Sequence, residues 1–403
     1  IMKIRVGFVI NYTLNKWLGI SYYYENLFKT IIDQNDNKIE IVILTDEHIT
    51  EEETKKFEGI EIIKSKLFDR KSSRWKNYFN IFLILLFGKN FLVEKFLLNN
   101  NIKIVSHTSI LGRNSKVPSI KFIPDFQELH YPEYFNWKMI LKRKMTVWFA
   151  AMNSNKVILY SESIKKDMDK IFRTKNEKIS YLPYCTNISD DFNLLSFNEL
   201  KNKFNLQSSY FYLPNHFWKH KNHITVYKAL DYINKNFNKK IYLITTGEKS
   251  DYRNPGYNNE LEKYILNNDL DENIKHLGIV SMNEVYSLIK HSKALINPSF
   301  FEGWGTSVEH ARYFKKNVIA SNIPIHLEQN KFNLNQKINS EHSIKFCHYF
   351  EPKDYIQLAN LILKISNFEE VETEQSRLMY LAGHKKIVNN FYINYLNIIN
   401  TII

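Results

Sequence analysis

Residues 293–329 read KALINPSFFEGWGTSVEHARYFKKNVIASNIPIHLEQ. The apolar run ending near Asn297–Pro298 predicts a strand, and Glu302-Gly303-Trp304-Gly305 a loop. A helix is expected to start near Thr306 or Ser307. Glycine lets backbone amides approach a ligand closely, and a Thr/Ser pair makes a good N-cap. Amides exposed at a helix N-terminus, reinforced by its dipole, suit a pyrophosphate. Glu302 beside that turn is placed to accept hydrogen bonds from sugar hydroxyls. An ordinary capped turn carrying a surface Glu explains the same residues.

Outward from this unit the same pattern recurs from end to end. Strands are expected at Lys3–Ile10, Ile39–Leu44, Ile102–His107, Ile120–Ile123, Lys156–Tyr160 and Ile179–Leu182. A second series covers Tyr210–Leu213, Lys240–Thr246, Ile274–Leu277, Ala294–Asn297, Asn317–Ser321 and Ile344–Tyr349, with amphipathic helices between. Strand-then-helix alternation implies parallel sheets covered on both faces. The 403 residues exceed what one core usually organises. We therefore expect an N-terminal domain over 1–200 and a C-terminal domain over 201–375. A last helix over 376–403 is expected to cross back to the first domain. In such sheets ligands gather at the carboxyl ends of the strands.

Composition narrows the class. Hydrophobic residues at 44% and aromatics at 15% exceed what a disordered chain carries, and 11 Gly with 9 Pro exclude collagen-like repeats. Two cysteines, Cys185 and Cys347, exclude a disulfide scaffold and point to a reducing, cytoplasmic setting. The stretch IMKIRVGFVINYTL reads as a first core strand, not a secretory leader. With 55 Lys plus Arg against 42 Asp plus Glu, the net charge of +13 attracts phosphorylated substrates, anionic membrane or nucleic acid. The basic residues are dispersed and no recognition motif appears, so nucleic acid is not expected as a partner.

The 293–329 segment resembles the retaining nucleotide-sugar glycosyltransferases of family 4, which have the GT-B fold. The likeness lies in Glu302, Gly303, Gly305, Ala311, the VIAS of 318–321 with the following NIP, and Glu328. The resemblance implies an α/β GT-B architecture, two Rossmann-like doubly wound domains facing across a cleft. In the family the Glu at the position of Glu302 contacts the donor sugar, and a second Glu eight positions on binds the ribose. Here that position is His310, with Glu309 one residue earlier. One residue along a helix is a rotation of about 100°, so Glu309 is no simple replacement, and His310 is slightly favoured for the ribose. Trp304 and Thr306 complete the donor loop.

The resemblance extends to YFYLPNHFWKHKNHITVYKAL, 210–230. There the family's phosphate-binding Arg and Lys correspond to His216 and Lys221. His216 would serve as a cation or as a neutral N–H donor. His216, His220 and His223 also invite a zinc reading, but no Cys or carboxylate stands at matching spacing. The strand ending at Gly247 and the backbone near Ile279–Val280, expected to hold the base, complete the donor side. HYFEPKDYIQLANLI, 348–362, fits the end of the family's second domain. Lys221 is treated as a point charge whose loss would cost transfer and little stability. No metal is expected, because Lys and helix-terminal amides neutralise the phosphates.

The N-terminal half is expected to take the acceptor. Gly19 marks the first strand-to-helix turn, a Gly-rich turn near the phosphates in the family. FIPDFQELHYPEYF, 122–135, gathers Asp125 and His130, either of which would orient the attacking hydroxyl; a solvated capping loop explains them equally. Basic residues beside aromatics in 64–96 and in 136–152 fit an interfacial helix on the inner face of the cell membrane. A core helix with a solvated basic face fits them as well. The combined expectation is a retaining glycosyltransferase moving a sugar from a UDP- or GDP-linked donor to a hydroxyl on a glycan or lipid-linked acceptor. Bacterial surface polysaccharide or glycolipid assembly is the expected setting. A GT-B sugar-nucleotide epimerase or an inactive sugar-nucleotide binder is the alternative.

Overall fold

The structure is a computed structural model that describes residues 3–10, 18–69, 74–108, 110–173, 175–188, 192–206, 209–335, 347–367 and 374–403. It divides into two compact units. Unit 1 holds Ile1–Pro124, Trp137–Asn187 and Ile387–Ile403; unit 2 holds Asp125–Asn136 and Ile188–Lys386.

Unit 1 contains β1 (Ile4–Val9), β2 (Ile39–Thr45), β3 (Glu61–Lys64), β4 (Ile104–Ser106), β5 (Ile120–Ile123), β6 (Lys156–Leu159) and β7 (Ile179–Tyr181). They form parallel sheets in the orders β3-β2-β1-β4 and β5-β6-β7, joined by a parallel bridge from Val105 to Ser119. The edge strand β3 has no counterpart among the expected strands. Its four residues, EIIK, are half-buried or exposed and carry no long apolar run.

Unit 2 contains β8 (Phe211–Pro214), β9 (Leu243–Thr246), β10 (Ile274–His276), β11 (Ala294–Asn297), β12 (Asn317–Ser321) and β13 (Cys347–Phe350). All are parallel, in the order β10-β9-β8-β11-β12-β13. That is the doubly wound Rossmann order. Alternating side chains serve opposite faces. Leu213, Leu243, Ile296 and Ile319 pack with the helices His223–Phe237 and Tyr355–Ser366. Their neighbours Tyr212, Ile244, Leu295 and Val318 pack with the helices Phe197–Phe204, Met282–His291 and Thr306–Tyr313.

The unit boundaries differ from the expected 1–200, 201–375 and 376–403 in three places, each for a physical reason. Ile188–Leu200 joins unit 2 because Leu195 N–H donates to Ser287 Oγ (2.9 Å) and Leu200 lies in the unit 2 core. Asp125–Asn136 joins unit 2 through Arg253 and Phe300, described below. The last helix, Glu374–Asn400, is shared: His384 packs edge-on against Tyr313 of unit 2, whereas Tyr395 donates to Ser106 Oγ (2.8 Å) in unit 1.

Ending the chain after Lys386 removes Phe391, Tyr395 and Ile399, all buried in unit 1. Burying each is worth about 1.5–3 kcal/mol, a large share of the roughly 5–15 kcal/mol that holds a domain together. The truncated chain should lose most of unit 1's stability in urea denaturation. A wild-type transition would show that this helix end contributes little.

Candidate functional site

In unit 2 the strand order reverses between β8 and β11, which pair directly through Leu295 and Tyr212. The loops that follow these two strands diverge at a switch point, where open α/β sheets bind ligands. The β8 loop runs into a single 3₁₀ turn, Lys219–Lys221, and the β11 loop carries 298–305. They are joined by backbone and side chain. Phe300 N–H donates to His220 O (2.8 Å). Asn222, left-handed at φ +57°, donates from Nδ2 to Pro298 O (2.9 Å) and Pro352 O (2.7 Å).

This clamp brings together two candidates 81 positions apart. Lys221 Nζ donates to both oxygens of Glu302, at 2.7 and 2.9 Å, and Ser299 Oγ lies 2.6 Å from Oε1. Both side chains are largely buried, Lys221 at 16% and Glu302 at 9% exposure. Burial pushes the Glu302 carboxyl up, but the charge and hydrogen bond of Lys221, with Ser299, hold it below its ordinary 4.5. Glu302 is ionised at neutral pH. Lys221 is thus no loose surface charge: removing it would strand a buried carboxylate. The expectation of a stability-neutral Lys221 is corrected on that ground.

The second acidic position behaves differently. Glu309, in the first turn of the helix Thr306–Tyr313, is buried and accepts from Arg312 Nη1 (2.5 Å), Trp304 Nε1 (3.1 Å) and Gln329 Nε2 (2.6 Å). It anchors Trp304, and with it the Glu302 loop, onto the helices behind. Burial raises its pKa against the opposing Arg312 charge. His310 is buried beside Tyr286, edge-on at 5.0 Å between ring centroids, and burial lowers its pKa to about 3. The imidazole is neutral at pH 7.

The remaining donor-side candidates gather around the same loops. Glu248 N–H donates to His216 Nδ1 (2.9 Å), which puts the neutral ring's proton on Nε2. Burial and then the Lys221 charge lower the His216 pKa, so the ring is a neutral N–H donor. Gly247 has φ +124°, and a Cβ there would stand 2.6 Å from Asn215 O; only glycine admits this approach of the β8 and β9 loops. Gly247 N–H donates to Gly278 O (2.8 Å), two residues before the half-buried Val280. Gly305, at φ +78°, starts the helix that Thr306 opens, and Gly303 lies between it and Glu302. Among the described residues no group of three His, Cys, Asp or Glu is placed to hold a metal ion.

Asp125 and His130 lie in unit 2, not in the N-terminal unit that their position in the chain suggested. Their segment is held by Arg253, whose Nη1 donates to Gln127 Oε1 (2.9 Å) and whose guanidinium lies over Phe135 (5.0 Å) and Trp218 (4.7 Å). Tyr131 Oη donates to Phe300 O (3.2 Å), and the His130 ring packs on Phe301 at 5.1 Å, one residue before Glu302. Gly19 is the second residue of the helix Leu18–Asp33 in unit 1; residues 11–17 before it lie outside the described residues.

Sequence reasoning missed Ser299, Asn222, Arg253 and His326. His326 Nδ1 donates to Ser321 O (2.9 Å), and a Cβ on Gly305 would stand 3.3 Å from its Nε2. In unit 1 it missed His107, buried at the end of β4 beside β1, where that sheet also reverses order. His107 is left-handed at φ +64°, with Tyr23 Oη 2.8 Å from Nε2 and Ser106 Oγ 2.8 Å from Nδ1. Only Asn222, an asparagine just after a basic turn, carried a local signal, since Asn tolerates the left-handed region.

Comparison with known proteins adds the family context. Residues 197–371, which contain the whole Lys221–Glu302 arrangement, match glycosyl transferases group 1. The chain is 28% identical over 219 residues to the O-antigen chain mannosyltransferase RfbU of Salmonella typhimurium, and the match spans about half of each protein, 54% of this chain and 55% of that one. A glycosyltransferase structure from Rickettsia africae superposes with a TM-score of 0.65 at 17% identity, covering 97% of this chain and 95% of that one. Anabaena HepE, solved with UDP and glucose, gives 0.65 at 14% identity over 99% of both chains. The chain has the GT-B fold.

Two outcomes follow. Lys221→Met should cost about 3–5 kcal/mol by stranding Glu302, and adding Glu302→Gln should recover most of it. Because the Glu302 pKa is depressed, the pair's contribution is present above pH 4.5 and fades as the pH falls through the folded value below it. Urea denaturation at neutral and acid pH reads both; a single variant as stable as wild type refutes the pairing. Arg253→Met should speed amide exchange across 125–136 by at least about tenfold as the segment loses its anchor. Unchanged exchange would show that the anchor lies elsewhere.

Proposed function

We propose that this protein is a retaining, metal-independent glycosyltransferase of family 4. It moves a hexose from a UDP- or GDP-linked donor to a hydroxyl on a glycan or lipid-linked acceptor in bacterial surface polysaccharide or glycolipid assembly. The Lys221–Glu302 pair at the β8/β11 switch point of the group 1 domain carries this reading. The named activity of RfbU and the UDP and glucose bound to HepE support the donor and acceptor classes.

The pair explains how a donor is received. A diphosphate attracts Lys221 away from Glu302, and the freed carboxylate accepts hydrogen bonds from sugar hydroxyls. His216 Nε2–H and the amides at the start of the Thr306–Tyr313 helix add neutral donors to the phosphates. The bond from the anomeric carbon to the leaving phosphate oxygen breaks, and the acceptor oxygen bonds on the same face. The acceptor's proton passes to the departing phosphate, so configuration is kept and no enzymic nucleophile is used. Asp125 or His130 orients the hydroxyl. Preorganised charge at the leaving group is the main catalytic contribution.

Thermal-shift binding against UDP, GDP, CDP and ADP, with and without magnesium, followed by a transfer assay, tests this. One nucleotide should stabilise the protein in EDTA as well as in magnesium, and its sugar conjugate should yield an α-linked product from an α-linked donor. Glu302→Gln should lower turnover by about 10²–10³ while nucleotide binding falls far less. Binding without transfer to any acceptor would favour an inactive sugar-nucleotide binder, and an epimerised donor would favour an epimerase.

A further inference from the structure

Two helical stretches of unit 1 turn large apolar side chains outward. On the helix Trp137–Asn153, Trp137, Leu141, Met145, Trp148 and Met152 are all exposed, Trp137 at 69%. Spaced by four, four, three and four residues, they form one stripe along the helix. On the helices Arg74–Phe87 and Phe91–Asn99, Phe79, Phe82, Leu85, Leu86, Phe91 and Leu92 are also exposed, Leu86 at 60%. Contiguous apolar surface of this kind marks an interaction site.

The two stretches lie on one face of the unit 1 sheets. The steps from β3 to β4 and from β5 to β6 both run toward the β7 edge. Right-handed crossovers that step the same way place their helices on the same face. Side chains agree with this. Asn114 donates from Nδ2 to Phe87 O (3.1 Å) at the end of one helix, while Lys178 donates to Ala151 O (3.0 Å) at the end of the other. Arg113, next to Asn114, stands near enough to Lys178 to add to the lowering of its pKa by burial.

Charge selects the occupant. From Tyr134 to Ser161 the chain has no Asp or Glu and carries Lys138, Lys142, Arg143 and Lys144; from Arg70 to Val93 it has none either. Lys138 lies over the Trp137 ring, 5.6 Å from its centroid. A second copy seated here by a two-fold axis would set these cations against their own equivalents. An anionic lipid leaflet offers hydrocarbon and negative charge together. We propose that this face of unit 1 docks on an anionic membrane surface, the Trp137–Met152 stripe entering the headgroup boundary and the flanking lysines meeting lipid phosphates. Among the described residues no helix is long and apolar enough to cross a membrane. The docking stands on the exposed faces alone; for the transfer reading it adds a place where a lipid-linked acceptor is met.

Pelleting of the full chain with vesicles, without nucleotide or acceptor, tests the docking. Phosphatidylcholine vesicles containing phosphatidylglycerol should carry the protein down, pure phosphatidylcholine vesicles should not, and added salt should release part of it. The triple variant Trp137→Ser, Leu141→Ser, Trp148→Ser changes only exposed side chains, so it should melt as wild type and bind at least about tenfold more weakly. The pair Lys138→Glu, Lys142→Glu should weaken binding to anionic vesicles similarly. Equal pelleting on neutral and anionic vesicles, undiminished binding by these variants, or a dimer in light scattering that the triple variant dissolves would overturn the proposal. No donor or acceptor enters this assay, so its failure leaves the transfer reading standing, and a missing sugar product leaves the membrane result standing.

Discussion

An ionised carboxylate withdrawn from water must be given a counter-charge and hydrogen bonds, or it must take up a proton. In unit 2 that requirement falls on Glu302, and the loops around it are built to meet it. Parallel pairing of β8 with β11 sets the roots of two loops side by side. The Phe300–His220 backbone bond and the double use of Asn222 then fix their separation. Only with that separation does Lys221 reach both carboxylate oxygens while Ser299 takes a third position. The pair is both a structural necessity and a stored charge separation. In the proposed reading, an entering diphosphate would offer Lys221 a better anion and release the carboxylate toward neutral hydroxyls.

Behind this first layer stands a second, organised by Glu309. Its neighbours Arg312, Trp304 and Gln329 leave the Glu302 loop little freedom. The glycines on either side of Trp304 give that loop its turn, but the indole bond to Glu309 decides where the turn sits. This accounts in physical terms for a carboxylate seven positions after Glu302. At that spacing it lies on the buried side of the helix, where an acid is useful as an anchor for indole, guanidinium and amide donors.

The third organising element is the segment 125–136. Sequence order assigns it to the first half of the chain, yet Arg253, caged by Phe135 and Trp218, ties it to unit 2 beside Phe300 and Phe301. An arginine over aromatic faces is a low-cost tether, since guanidinium is weakly hydrated and stacks well. Asp125 and His130 are thereby held on the same unit as Glu302. Unit 1 keeps its own polar centre, the strained His107 between Tyr23 and Ser106, and its own outward apolar faces.

Much of this was legible in the chain. Alternating apolar strands and amphipathic helices announced parallel doubly wound sheets, and among the described residues twelve of the thirteen strands overlap the predicted ones; β3 escaped because EIIK is short, marginal and half-exposed. The glycine-bounded Glu302 turn, the Lys221 loop and the glycine that ends the strand at 247 were visible as residue types at telling positions; that no other residue fits at 247 came from the structure. What the sequence by itself determined is therefore local: periodicity and turn chemistry are written in residues a few places apart. Only the tertiary structure decided that Lys221 and Glu302 pair, that Glu309 is an anchor, and that the Asp125–Asn136 segment belongs with unit 2. Those outcomes depend on which strands become neighbours and on how buried charges find partners, and residues 81 or 126 positions apart carry no local signal of meeting until the sheet order places them within hydrogen-bonding distance.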